Sequence, residues 1–174
     1  VSTREAAVAA LGEDLLGNNP GEENIRGGLS TIEEKSLGAV AKAGTRPIRG
    51  LLSFAQRPQR NGLHLMDGPC FSPESITGFV ASGAQLVAFT TGAGNSFSSL
   101  LAPTVKISAN PRARERLACQ IDFDAGAVFE GTQMLEEAAD RLFEAVIGIA
   151  SGTLTWAEVV GEGGECFTRL GASL

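Results

Sequence analysis

Apolar positions recur along this chain in two rhythms. After Ser2-Thr3-Arg4-Glu5, whose serine and glutamate are spaced as a capping box, Ala7, Val8, Leu11 and Leu15 return at helical intervals until Gly17-Asn18 ends the pattern. Ser30 with Glu33, or Thr31 with Glu34, caps a second helix that closes near Gly44. Ser72-Pro73-Glu74 supplies an N-cap, a first-turn proline and an acidic residue for a short helix to about Ser82. The longest helix runs from about Thr132 to Ala150, with Leu135, Ala139, Leu142, Val146 and Ala150 as its apolar stripe. Glu136, Asp140 and Glu144 form its wet side, and Asn110-Pro111 opens one more short helix.

The second rhythm is that of strands: Pro47 to Leu52, Gly62 to Met66, Gln85 to Thr90, Thr104 to Ser108, and a weaker one ending at Phe123. Leu63–Met66, the helix after it and Leu86–Phe89 read as a βαβ unit, hence a parallel sheet with a right-handed crossover. The continuous apolar run Leu86-Val87-Ala88-Phe89 suits a strand covered on both faces. The predicted fold is α/β, a three-layer sandwich with a mostly parallel sheet flanked by helices. It forms a single domain over residues 1–174, with a helix and a polar, glycine-rich loop (1–30) leading in.

Composition narrows the function classes. The 174 residues suffice for one domain with a real core, and the apolar share of 43 % is ordinary for a soluble chain. No apolar run approaches the ~20 residues of a membrane helix, and no signal-peptide pattern opens the chain. A net charge of −6 and a pI near 4.8 argue against a nucleic-acid groove, which needs a basic face. Cys70, Cys119 and Cys166 are odd in number and far apart, reading as free thiols in a reducing cytoplasm. The chain opens on Val1, not methionine, as a piece of a longer protein would.

Ligands of an open parallel sheet bind beyond the carboxyl ends of its strands. Asp67-Gly68-Pro69 follows Met66, Thr90-Thr91-Gly92-Ala93-Gly94-Asn95-Ser96 follows Phe89, Ser108 and Asn110 follow Ile107, and Asp124 and Gly126 follow Phe123. Glycines let backbone amides approach an anion, and the hydroxyls add donors. An ordinary connecting loop, and a turn-forming Asp67, are the plainer readings of the same residues. Neither a P-loop nor a dinucleotide fingerprint is present. Lys106 shares a strand face with Thr104 and Ser108, and is an edge-strand lysine or a site lysine. His64, between Leu63 and Leu65, is read as a structural histidine, and Arg112, Arg114, Glu115 and Arg116 as a solvated helix face. There is no Ser-His-Asp arrangement and no His/Cys/carboxylate spacing for a metal.

Two longer stretches carry a resemblance. GGLSTIEEKSLGAVAKAGTRPI (27–48) is similar to the Gly-Gly-Leu-Thr-Glu-Glu-Lys-Ser motif of the altronate and galactarate dehydratase family. GLHLMDGPCFSPESITGFVASGAQLVAFTTGAG (62–94) is similar to the strand-helix-strand that follows it there. APTVKISAN, IDFDAG and ASGTLTWAEV then fall in the family's order, so the likeness covers about residues 19–160 and points to the family's carboxy-terminal domain. It implies a cytoplasmic hydro-lyase that dehydrates a sugar acid to a 2-keto-3-deoxy acid with a divalent metal, iron or alternatively manganese, mostly liganded outside this chain. It also implies a small anionic sugar-acid substrate and a preceding domain of the same enzyme, while a homo-oligomer is left open. Such chemistry stabilises an enediolate dianion and helps hydroxide leave.

On this resemblance the catalytic candidates are Lys35, Asp67 and Lys106. The substrate-binding candidates are Gly27, Gly28, Glu34, Thr90, Thr91, Gly92, Gly94, Asn95 and Asp124, and no metal ligand is assigned. Gly27-Gly28 before a capped helix start is expected to offer unpaired amides to an anion. The family's loop commonly carries an arginine where Ala93 stands, and a Thr/Ser-Pro pair where Asn95-Ser96-Phe97 stands. Losing a bidentate anchor of that kind is worth ~1.5–3 kcal/mol. The alternatives are a sulfo-lyase acting on a sulfolactate-like acid, or a non-catalytic small-acid-binding or assembly module of the same fold.

Overall fold

The strand candidates pair in two groups, a division that their apolar character alone does not reveal. In the computed structural model, which describes residues 2–13, 17 and 19–167, β1 (Ile48–Leu52) pairs with β2 (Leu63–Met66) in a two-stranded sheet. β3 (Val87–Thr90), β4 (Thr104–Ser108) and β5 (Phe123–Asp124) form a second sheet in that order. Both of its pairings are parallel, with Val87 opposite Thr104, Phe89 opposite Lys106 and Ser108 opposite Asp124. The helices are α1 (Ser2–Ala9), α2 (Glu22–Arg26), α3 (Ile32–Ala41), α4 (Ser72–Ala81), α5 (Pro111–Arg116), α6 (Gly126–Phe129), α7 (Leu135–Ala150) and α8 (Trp156–Val160). A parallel sheet flanked by helices, with α4 against β3 and α5 against β4, makes this an α/β sandwich.

The chain divides into two units, Val1–Arg49 and Gly50–Leu174. The first holds α1 to α3, with Val8 and Pro20 buried. α1 begins at Ser2 as its pattern predicts; the side chains of residues 2–5, and Leu15 and Asn18 entirely, lie outside the described residues. α2 forms inside the stretch expected to be a polar loop, where Gly21 N–H donates to Asn24 Oδ1 at 3.2 Å. The second unit has its core at Ile76, Val87, Ala102, Val105, Ala113, Ile121, Phe123, Ala138, Ile149 and Ala157.

Three expectations change. β2 is hydrogen-bonded to β1 and not to β3, so 63–90 is not a βαβ unit of one sheet; the helical crossover lies at β4-α5-β5. β3 is an edge of its sheet, with Val87 buried but Ala88 exposed, and the strand covered on both faces is β4, which lies between two partners. On α7 the buried residues are Ala138 and Ile149, while Leu135, Ala139 and Ala150 face out and Leu142 and Val146 are half-buried. Apolar residues occupy more than one face of this helix, so its period does not say which face docks.

Candidate functional site

Parallel register brings the carboxyl ends of β3, β4 and β5 to one edge of the sheet, with Thr90 beside Ile107 and Ser108 beside Asp124. The loop after β3 is shaped there by specific bonds. Thr91 N–H donates to the Ile107 carbonyl at 2.9 Å, extending the ladder by one residue. Gly94 N–H donates to Thr91 Oγ1 at 3.0 Å, and Asn110 Nδ2 donates to the Gly92 carbonyl at 2.7 Å. Asn95 works in both directions, with Nδ2 donating to Ser72 Oγ at the start of α4 (3.1 Å) and Oδ1 accepting from Phe97 N–H (2.9 Å).

Gly94 has a φ of 97°, and a Cβ on it would stand 2.0 Å from Leu117 Cδ1, so position and conformation both require glycine. Among the described residues no hydrogen bond engages the amides of Gly92, Ala93 or Asn95. The loop therefore presents backbone donors at a strand end, held by side chains from α4 and from the segment after β4.

Asp124, at the same edge, is already occupied. Its carboxylate accepts from Gly126 N–H (2.9 Å) and from Arg114 Nη1 (2.8 Å), which caps α6 and balances the charge. Arg141 lies over the Phe123 ring, 5.2 Å from its centre, and reaches Gln133 Oε1 at 2.7 Å. A groove of about 700 Å³ runs beside α5, lined by Arg114, Asp122, Asp124, Gly126 and Trp156 among others, and none of residues 90–96 lines it.

Lys106 sits in the middle strand, 1 % exposed, and is no edge lysine. Its ammonium donates to the Ser96 carbonyl at 2.9 Å, and its N–H to Asp122 Oδ2 at 2.7 Å. Burial pushes its pKa below the usual lysine range, against the opposing pull of the Glu162 and Asp122 carboxylates.

In the first unit, the amides of Gly27 and Gly28, expected to be unpaired, donate to the Glu23 and Ile25 carbonyls at 3.0 Å each and close α2. Thr31 caps α3, its Oγ1 accepting from Glu34 N–H at 3.2 Å. Glu34 reaches back past Thr31 to Ser30, accepting from its hydroxyl (2.7 Å) and its N–H (2.8 Å), and these bonds lower its pKa. The Lys35 ammonium donates to Asn19 Oδ1 (2.7 Å) and Asn24 Oδ1 (3.0 Å). Asp67 is exposed at the end of β2, its N–H donating to the Leu52 carbonyl at 2.8 Å. His64 is half-buried on β2, with Nδ1 2.9 Å from the Gly62 carbonyl and its ring against Gly50.

Among the described residues no three His, Cys, Asp or Glu side chains gather to hold a metal, and the metal that the resemblance implies is one liganded mostly outside this chain. No helix among the described residues is long and apolar enough to cross a membrane. Sequence reading missed Ser72, Asn110 and Glu165 as supports of the site's loops. Only Asn110 carried a signal, the Asn-Pro helix start, whereas the contacts of Ser72 and Glu165 bridge 23 and 66 positions of chain.

A family model described as D-galactarate/altronate dehydratase, C-terminal, matches residues 1–173. The chain is 39 % identical over 158 residues to a (2R)-sulfolactate sulfo-lyase subunit beta of Chromohalobacter salexigens, covering 90 % of this chain and 41 % of that one. It is 36 % identical over 136 residues to an altronate dehydratase of Bacillus subtilis, covering 78 % and 27 %. It is 34 % identical over 142 residues to a galactarate dehydratase (L-threo-forming) of Escherichia coli, covering 82 % and 27 %. The aligned part thus spans well under half the length of these relatives.

Proposed function

This chain belongs to the D-galactarate/altronate dehydratase family, matching its C-terminal part, and from that premise we propose that it is the carboxy-terminal domain of a hydro-lyase. The substrate in this reading is a sugar acid of the altronate or galactarate kind, and the product a 2-keto-3-deoxy acid. A base takes the proton from the carbon next to the carboxylate, and the electron pair moves into the carboxylate to give an enediolate dianion. The pair then returns to form the carbon–carbon double bond as hydroxide leaves the next carbon and is protonated to water; the resulting enol becomes the keto acid.

The observation that carries the reading is the set of uncommitted amides at Gly92, Ala93 and Asn95, fixed at the end of a parallel strand. Donors of that kind stabilise charge that develops on an oxyanion, each charge-assisted bond contributing about 1.5–3 kcal/mol. The Arg114 guanidinium on Asp124 keeps that edge from repelling an anion. The base and the assistance to the leaving group come, in this proposal, from the remainder of a longer enzyme, because the aligned relatives are much longer than this chain.

A second reading is favoured by the likeness to the sulfo-lyase subunit. Elimination then expels sulfite in place of hydroxide. One experiment separates the two: the complete gene product, loaded anaerobically with iron or manganese, is given altronate, galactarate and sulfolactate. Formation of a 2-keto-3-deoxy acid from either sugar acid is expected. Sulfite release from sulfolactate alone would select the second reading, and binding without turnover would reject both.

A further inference from the structure

A lysine that is 1 % exposed in the middle strand of a sheet is a costly choice where leucine or methionine would pack. Among the described residues its ammonium makes one hydrogen bond, to the Ser96 carbonyl at 2.9 Å. Ser96 directly follows the loop whose amides are uncommitted. The next residues are held by the segment after α8. Gly164 N–H donates to the Ser98 carbonyl at 2.9 Å, and Glu165 Oε1 accepts from the Ser99 hydroxyl and from Leu100 N–H (3.1 Å). Cys166 N–H donates to Thr77 Oγ1 on α4 at 2.9 Å.

The segment lies flush on the loop, since a Cβ on Gly163 would come within 2.6 Å of Leu100 Cδ2. Among the described residues, two buried oxygens at this contact, Ser98 Oγ and Glu165 Oε2, find no hydrogen-bond partner. Polar groups are retained here at a cost that stability alone would remove.

Resting on the reading of the loop as the anion-binding element, we propose that Lys106 and Glu165 are positioning residues that clamp residues 96–100 and so fix the amides of Gly92, Ala93 and Asn95. Lys106 acts through the Ser96 carbonyl, with no part in proton abstraction. The charges of Glu162 and Asp122 favour the ammonium against the effect of burial. Glu165 fastens the far end of the same stretch, so the clamp has one jaw in β4 and the other in the 162–166 segment.

The test uses the complete enzyme. Lys106→Met keeps the volume and removes the donor. We expect amide hydrogen exchange over residues 92–98 to quicken by about tenfold or more, with KM for the acid rising about tenfold, as for the loss of one charge-assisted bond. The kcat should stay within about threefold and its pH profile should not move. Glu165→Ala should quicken exchange over 96–101, and Glu165→Gln, whose amide oxygen still accepts, should restore it.

A collapse of kcat with loss of the acid limb of its pH profile would make Lys106 the proton acceptor and overturn the clamp. Unchanged exchange over 92–98 in a folded Lys106→Met protein would overturn it too. Should that variant not fold, unchanged exchange over 96–101 in Glu165→Ala overturns the proposal on its own. The exchange measurement needs no substrate, so it fails or succeeds independently of the proposed lyase activity.

Discussion

Gly92 and Gly94 lie two residues apart in the loop after β3 and face opposite constraints. At Gly94 a methyl group meets Leu117 at 2.0 Å and must adopt a φ of 97°, whereas at Gly92 nothing lies within 4 Å and φ is not positive. Gly94→Ala should therefore destabilise the protein by about 2 kcal/mol or more and disorder the loop. Gly92→Ala should cost well under about 1 kcal/mol. Thermal or urea unfolding of the two variants checks this, and equal losses would mean that the loop does not pack on Leu117. At this scale the residue types at the strand ends were readable, but their commitments were not. Asp124 was a substrate-binding candidate, and the structure adds that its carboxylate accepts from Arg114 Nη1 and Gly126 N–H. Gly27 and Gly28 looked like open amides, yet α2, a helix of five residues with no apolar period to announce it, claims both.

Elements were easier to place than their faces. All five strands appear within two residues of their sequence-based bounds, because β-branched and apolar runs between glycines and prolines have few other uses. α8 was missed although Thr155 and Glu158 form a capping box there, with Thr155 N–H and Oγ1 each 2.8 Å from Glu158 Oε2. α7 was found but rotated, since its period permits several apolar faces and docking selects the one with Ala138 and Ile149. That selection has a measurable consequence. Ile149→Ala should cost about 2–4 kcal/mol, as for a buried large-to-small change. Phe143→Gln, at a position 63 % exposed, should stay within about 0.5 kcal/mol. Denaturant midpoints of the two variants decide it, and the reverse order would place the other face of the helix in the core.

For the whole molecule, the relation of this chain to a complete enzyme sets the expectation. The chain spans 27 % of the altronate dehydratase and 41 % of the sulfo-lyase subunit that it resembles. Its described residues hold no cluster of metal-binding side chains and one half-buried histidine on β2. We expect residues 1–174 alone to turn over sugar acids at least about a thousandfold more slowly than the complete gene product, the order lost when a general base and a charge stabiliser are both removed. Parallel assays with iron or manganese supplied measure this. Comparable rates would show that the chemistry lies within this chain.

The amino-acid sequence by itself determined the element types, the α/β class, the glycine- and hydroxyl-rich loop after β3, and the family likeness. All of these depend on local spacing and on residues near one another in the chain. Tertiary structure alone decided that β2 leaves the main sheet for β1 and that β4 lies in the middle. It also turned the α7 face with Ala138 and Ile149 inward and brought the ammonium of Lys106 beneath Ser96. Strand order and helix rotation are settled by contacts between distant segments. Several arrangements satisfy the same local period, and the one that buries the most apolar surface with its polar groups paired prevails.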